Sequence, residues 1–192
     1  MTDLITTHKD QHQEDGRFRY VYQRDCAERF TGRVLNMGCN EDPGKLRASF
    51  GERIINCDIE GWDKYMNRPN VVDRIFNCLH FPWPFPDKYA DLVILGEILE
   101  HFPVSQMIEA LNESKRVSDN VCITIPEDTR ITEEDELKKW NKEGYNLHTT
   151  VATRDTVDHI LSETGFIPTE IIKGEWGFDN IKGFCILAHA AS

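Results

Sequence analysis

The stretch from Arg33 to Asp58, RVLNMGCNEDPGKLRASFGERIINCD, constrains the fold more than any other part of the chain. The apolar run at Val34-Leu35 leads to a turn at Gly38, and Pro43 suits the first turn of a helix carrying Leu46 and Phe50 on its inner side. A second apolar run, Ile54-Ile55, ends at Asp58, twenty residues after Gly38. Strand, glycine turn, helix, strand and acid in this order predict a βαβ unit. An acid at that distance is where such a unit holds the two hydroxyls of a ribose, so the segment points to a nucleoside cofactor.

The turn itself narrows the choice. A dinucleotide site uses G-x-G-x-x-G, whose second glycine lets the backbone approach a pyrophosphate. Asn40 stands at that second position, and Glu41 and Asp42 place negative charge where the pyrophosphate would lie. The G-x-x-x-x-G-K-[ST] phosphate loop does not occur. S-adenosylmethionine has no phosphate, carries a sulfonium cation and tolerates neighbouring carboxylates, so the turn favours it. Taken alone, the turn is also compatible with a βαβ unit that holds no ligand.

The rest of the chain continues the alternation. Arg17 to Phe30 spaces Tyr20, Cys26 and Phe30 as an amphipathic helix would. Strands are expected at about 33–37, 53–57 and 70–75, then at Asp91–Leu95, which is apolar as a parallel strand covered on both faces would be. Pro82, Pro84 and Pro86 forbid a helix or central strand in the link before it. A helix follows over Val104–Val117, then a buried strand at Val121–Ile125, stopped by Pro126. Thr132 to Gly144 opens with a capping signature and reads as a solvated helix. A helix over Asp155–Thr164 ends at Gly165, and the runs Ile171-Ile172 and Phe184–Ala188 complete the sheet. Strands alternating with helices indicate a doubly wound α/β domain. Residues 1–16 are expected to be a flexible tail and 17–192 a single domain.

Composition bounds the partners. The 192 residues suit one domain with a sizeable core, and 40% hydrophobic with 29% charged residues is a globular balance. A formal net charge of −11 disfavours a surface that tracks nucleic-acid phosphates, although Lys138, Lys139 and Lys142 form a local basic cluster. No apolar run is long enough to span a membrane, and the polar N-terminus does not read as a signal peptide. Cys26, Cys39, Cys57, Cys78, Cys122 and Cys185 are scattered without a C-x-x-C pair. Free buried thiols in a reducing cytosol account for them better than a disulfide framework or a zinc site.

Several segments together carry a family resemblance. VLNMGCNEDPG, INCD, FNCLHFPWPFPDKYADLVILGEILEHF, ALNESKRVSDNVCITIPE and HTTVATRDTVDHILSETGF follow one another in the order and spacing of class I S-adenosylmethionine-dependent methyltransferases. The resemblance covers about residues 30–190 and implies a Rossmann-like seven-stranded sheet, mostly parallel with an antiparallel last strand. It implies S-adenosylmethionine as cofactor, S-adenosylhomocysteine as product and a small-molecule acceptor. Asn36, Met37, Gly38 and Cys39 would then lie along the methionine part, with Asp58 on the ribose and Ile59 beside the adenine. Asn77, Cys78 and Leu79 would border the adenine, and Gly96 and Glu97 would follow the fourth strand at the ligand-binding edge. Asn36 stands where many relatives have an acid, Asn40 where they have glycine, and Asn77 where many have Asp. The first two departures would weaken cofactor binding, and they keep a non-catalytic, methyltransferase-like binding protein among the readings.

Methyl transfer from a sulfonium asks mainly for alignment and exclusion of water, with a base where the acceptor carries a proton. His101, Glu97 and His148 are the candidates for that base, with Glu100 beside them. Gly96-Glu97-Ile98-Leu99 departs from the [DNS]-P-P-[YF] segment of enzymes that methylate amino groups on DNA bases. Glu97-x-x-Glu100-His101 with His148 is similar to the metal-binding set of methyltransferases that modify the 3′-terminal ribose of small RNAs. The acidic balance sets that reading behind a metal-independent small-molecule enzyme.

Overall fold

Continuous apolar runs become the centre of a sheet because both of its faces are covered. The computed structural model describes residues 18–39, 46, 49–59, 72–127, 148–175 and 182–191. Its strands are β1 (Val34–Met37), β2 (Ile54–Asp58), β3 (Arg74–Ile75), β4 (Leu92–Gly96), β5 (Asn120–Glu127), β6 (Phe166–Glu175) and β7 (Lys182–Ala190). They form one seven-stranded sheet in the order β3-β2-β1-β4-β5-β7-β6. β1 runs parallel to β2 and β4, β2 parallel to β3, and β4 parallel to β5. β7 lies antiparallel between β5 and β6, as expected of the last strand.

The two-residue period of a strand sorts the core into two layers. Leu92 and Ile94 of β4, with Cys122 of β5, pack with Tyr22, Cys26 and Ala27 of α1 (Phe18–Glu28) and with Leu46. Val93 and Leu95, with Val121, Ile123 and Ile125, face the other layer. That layer is supplied by α2 (Val104–Val117) through Met107, Ala110, Leu111 and Val117, and by α3 (Arg154–Thr164) through Val157, Ile160 and Leu161. Thr153 caps α3 by accepting from the Thr156 N–H, and Gly165 ends it in the left-handed conformation at φ 66°.

One expectation is corrected. β5 does not stop before Pro126 but continues through it to Glu127, with Pro126 opposite Gly183 of β7. Pairing with β4 ends at Gly96–Thr124, so beyond that point β5 has a neighbour on one side only and tolerates the missing N–H. Pro168, likewise, sits on the edge strand β6 at a register shift.

The proline-rich link between β3 and β4 is neither helix nor strand, as its prolines require. It is fastened by the last turn of α2. Arg116 donates to the carbonyls of Phe85 and Trp83 at 2.9 and 3.2 Å and to the carboxylates of Asp87 and Glu113 at 2.7 and 2.6 Å. Glu113 also accepts from the Trp83 N–H at 2.6 Å, and the Trp83 indole N–H donates to the Cys78 carbonyl at 2.8 Å. This holds the Asn77–Leu79 turn against the core without calling on any ligand.

All six cysteines are free thiols; five are buried and Cys78 is half-buried. Among the described residues no helix is long and apolar enough to cross a membrane. The expected tail at 1–16, the helix at 132–144, and Pro43 and Asn40 lie outside the described residues.

Candidate active site

Parallel strands that share one register bring their C-terminal ends to one edge of the sheet. Met37 of β1 is level with Cys57 of β2 and with Leu95 of β4, so Gly38, Asp58 and Gly96 emerge side by side. The strand order reverses here, because β2 flanks β1 on one side and β4 on the other. Such a switch point leaves a crevice in which doubly wound folds bind ligands.

Gly38 has φ +60°, and a Cβ built on it would lie 2.5 Å from Ile98 Cδ1. Both the conformation and the space demand glycine. The next N–H, of Cys39, donates to the Cys57 carbonyl at 3.1 Å and ties the turn to β2. Asp58, 9% exposed, accepts from the Ile59 N–H on Oδ1 at 2.7 Å, while the Cys39 thiol lies 3.8 Å from Oδ2. These contacts orient the carboxylate at the C-terminal end of β2. Ile59 is exposed at the mouth of the crevice, whereas the Met37 side chain is buried in the core and only its backbone lines the turn.

Asn36 finds its partner across the sheet. Its Nδ2 donates to Asn56 Oδ1 at 3.0 Å, and the two residues are opposite each other in the β1–β2 register. Both are buried, so this neutral amide pair takes the place of an acid at that strand end. Asn77 Oδ1 accepts from the Leu79 N–H at 2.9 Å and its carbonyl from the His80 N–H at 2.9 Å. The residue that the sequence sets against adenine thus also shapes its own turn, with Cys78 and Leu79 packed on the core.

On the other side of the crevice, Gly96 gives way to Glu97, which holds φ +56°. A non-glycine residue there is strained, and such strain concentrates at functional sites. The Glu97 N–H donates to the Thr124 carbonyl at 2.8 Å, and the Thr124 hydroxyl donates to the Glu97 carboxylate. Arg19 of α1 forms an ion pair with Glu97 Oε2. Burial pushes the Glu97 carboxyl up to about 7, against the opposing pull of Arg19 and Thr124. Gln23, one turn along α1, donates to Thr124 Oγ1 at 2.8 Å, and its Nε2 would meet a Cβ on Gly96 at 2.3 Å. Gly96 is therefore the position that lets α1 close onto β4.

Arg19, Gln23 and Thr124 were not among the residues expected from the sequence. The signal available was their spacing: Arg19 and Gln23 stand four apart on a helix whose apolar periodicity is imperfect.

Glu100 and His101 follow in a short turn, Leu99–His101. Glu100 is 2% exposed, and burial, reinforced by the nearby Glu97, holds its carboxyl well above the usual range. The Glu100 carbonyl accepts from the N–H groups of Thr149 and Thr150 at 2.8 and 3.2 Å, and the Thr150 hydroxyl donates to the Phe102 carbonyl at 2.8 Å. These bonds deliver His148 to His101, with ring centroids 5.0 Å apart in an edge-to-face arrangement. Of the expected metal-competent set, the structure assembles Glu100, His101 and His148, whose ligand atoms all lie within 4.8 Å of one another. Glu97 stands apart from that group, turned to Arg19. In sequence, the loops at 126–150 and 174–182 offer Trp140, Tyr145, Trp176 and Phe178 either to an acceptor pocket or to packing, and all four lie outside the described residues.

No protein-family model matches the chain, and no curated protein matches it by sequence. Solved structures do match it in shape. A SAM-dependent methyltransferase from Archaeoglobus fulgidus is 18% identical with a TM-score of 0.61, over 89% of this chain and 94% of that one. The 1,6-didemethyltoxoflavin N1-methyltransferase of Burkholderia thailandensis, solved with 1,6-didemethyltoxoflavin and S-adenosylhomocysteine, gives 13% identity and a TM-score of 0.64, over 93% and 80% of the two chains. The N-methyltransferase NodS of Bradyrhizobium japonicum, solved with S-adenosylhomocysteine, gives 16% and 0.60, over 96% and 90%. The sheet order, the antiparallel seventh strand and these likenesses agree: the chain has the Rossmann-like fold of the class I methyltransferases.

Proposed function

We propose that the chain is an S-adenosylmethionine-dependent methyltransferase acting on a small-molecule acceptor. The observation that carries this reading is the alignment of Gly38, Asp58 and Glu97 around one crevice at the switch point of the sheet. The residues fit the cofactor. Gly38 keeps a Cβ out of the crevice, Asp58 ends β2 where an acid would meet ribose hydroxyls, and the Asn77–Leu79 turn is held in place by Trp83. The Asn36–Asn56 pair satisfies both buried amides across the strands, so Asn36 need not be read as the mark of a lost site. Fold neighbours solved with S-adenosylhomocysteine, one of them with a small heterocyclic substrate, support both halves of the proposal.

The bound cofactor supplies an activated methyl group on a sulfonium. This chain's residues align it, keep out bulk water and manage an acceptor proton. Glu97, with a carboxyl at about 7 and placed after β4, is the base best tuned to neutral pH, and His101 and His148 line the same edge. Arg19 fixes the Glu97 side chain in its left-handed setting and acts as a positioning residue.

Equilibrium unfolding with added S-adenosylhomocysteine tests the assignment. At ~100 times its dissociation constant the ligand should stabilise the fold by about 2.7 kcal/mol. Asp58→Ala should weaken binding by roughly 10- to 100-fold, since it removes charged acceptors for the ribose. An unliganded stability curve that S-adenosylhomocysteine leaves unmoved would refute the cofactor assignment.

A further inference from the structure

We propose that Ile98 is a positioning residue that fits the crevice to the amino-acid chain of its nucleoside ligand, a role that rests on the methyl-donor reading of this edge. Gly38 and Gly96 end neighbouring strands at the same level, since Met37 pairs with Leu95. The side chain that reaches the Gly38 turn nevertheless comes from two residues beyond Gly96. A Cβ built on Gly38 would lie 2.5 Å from Ile98 Cδ1, 3.1 Å from its Cγ1 and 3.2 Å from its Cβ. The isoleucine side chain therefore runs along the glycine backbone. Glu97, between Gly96 and Ile98, holds φ +56°, and this left-handed step redirects the chain at the end of β4. The strained backbone thus has a second purpose besides placing the Glu97 carboxylate: it lays Ile98 against the turn that follows β1.

Ile98 is held on both sides along the chain. Before it, the Glu97 N–H donates to the Thr124 carbonyl at 2.8 Å; after it, the His101 N–H donates to the Ile98 carbonyl at 3.2 Å. Leu99, the next residue, is fully buried. Ile98 itself is half-buried and packs on the core, which leaves part of its surface open beside Gly38. The turn therefore rests on supports from two strands. On the β2 side the Cys39 N–H is bonded to the Cys57 carbonyl at 3.1 Å, and on the β4 side Ile98 packs against Gly38. Asp58, the residue proposed for the ribose, ends β2. Ile98 approaches from the other neighbour of β1, so it governs the part of a ligand remote from the ribose, which is the amino-acid chain. It acts through the Gly38 backbone, because a turn already set by packing binds without first having to be ordered.

Two ligands test this on the full-length chain: S-adenosylhomocysteine by calorimetry, and 5′-methylthioadenosine by ligand-detected NMR, which reads millimolar binding. The second keeps adenine, ribose and sulfur but lacks the amino-acid chain. Ile98→Ala should weaken S-adenosylhomocysteine by at least ~10-fold and 5′-methylthioadenosine by no more than about twofold. Ile98→Val keeps the branched Cβ and loses only the Cδ1 methyl, so it should cost about threefold, again for S-adenosylhomocysteine alone. This milder variant decides the matter if Ile98→Ala does not fold. Equal losses for the two ligands would mark a general loosening of the sheet edge and overturn the role. Undiminished S-adenosylhomocysteine affinity in the folded variants would overturn it too. A wild type that binds neither ligand refutes the methyl-donor reading itself, and the role of Ile98 with it.

Discussion

Arg19→Met should destabilise the protein by on the order of 3 kcal/mol at pH 8 and by much less at pH 5. Methionine keeps most of the apolar stem and removes the charge, so the loss reports the ion pair rather than packing. Burial raises the Glu97 carboxyl to about 7 from an ordinary value of 4.5, and Arg19 is the largest influence pulling it down. A group raised on folding stabilises the fold fully below its unfolded value, and that contribution disappears as the pH rises through the folded value. Removing Arg19 lets the Glu97 value climb further, so at pH 8 the variant must either bury an unpaired carboxylate or take up a proton. At pH 5 the carboxyl is largely protonated in both proteins, and little distinguishes them. Urea unfolding in chelator at the two pH values makes the comparison, with Glu97→Gln expected to flatten the dependence on pH. Equal destabilisation at both values would show that Arg19 acts through packing alone.

Gly38→Val should lower the affinity for S-adenosylhomocysteine by more than ~100-fold. The φ of +60° is unfavourable for a β-branched residue, and the added Cβ would press on Ile98 Cδ1 at 2.5 Å. Relief requires the turn to move, and the turn is tied through Cys39 to β2, beside Asp58. The disturbance therefore reaches the proposed methionine and ribose contacts together. Gly38→Ala should be milder, and adding Ile98→Ala to it should recover the steric part of the loss but not the conformational part. Calorimetry on the folded variants separates the two. Wild-type affinity in Gly38→Val would place the ligand somewhere other than this crevice.

Much of the sheet was legible because its central strands are covered on both faces. Leu92–Leu95 and Val121–Ile125 leave no polar residue to confuse the pattern beyond Thr124. Pro126 misled for a reason that local sequence does not contain: whether a missing N–H matters depends on which neighbour is still present. The glycine turn was legible because the backbone conformation at Gly38 demands that residue type, and Asp58 because an acid ending the second strand is what the proposed ribose contact asks for. Arg19 and Gln23 were not, since only the strand order places α1 over β4 and β5, next to Glu97 and Thr124. The pairing of His148 with His101 was suggested by a family pattern, yet its physical cause is the Glu100 carbonyl, which binds two amides far along the chain. The Asn36–Asn56 bond shows the same limit: each residue alone reads as a departure, and only the β1–β2 register makes them a pair.

The distribution of the cysteines has a chemical consequence. Cys26 is fully buried, and burial lifts the thiols of Cys39, Cys57, Cys122 and Cys185, with half-buried Cys78 pushed up to about 12. Thiolate, the species that attacks electrophiles and oxidants, is therefore scarce at Cys39, Cys57, Cys78, Cys122 and Cys185 at neutral pH. Reaction must wait until a segment opens and returns its sulfur to water. Cys26, Cys122 and Cys185 lie in the layer beneath α1, whereas Cys57 and Cys78 belong to the opposite layer. Without any introduced label, the molecule carries a separate chemical clock for the opening of each side of its sheet.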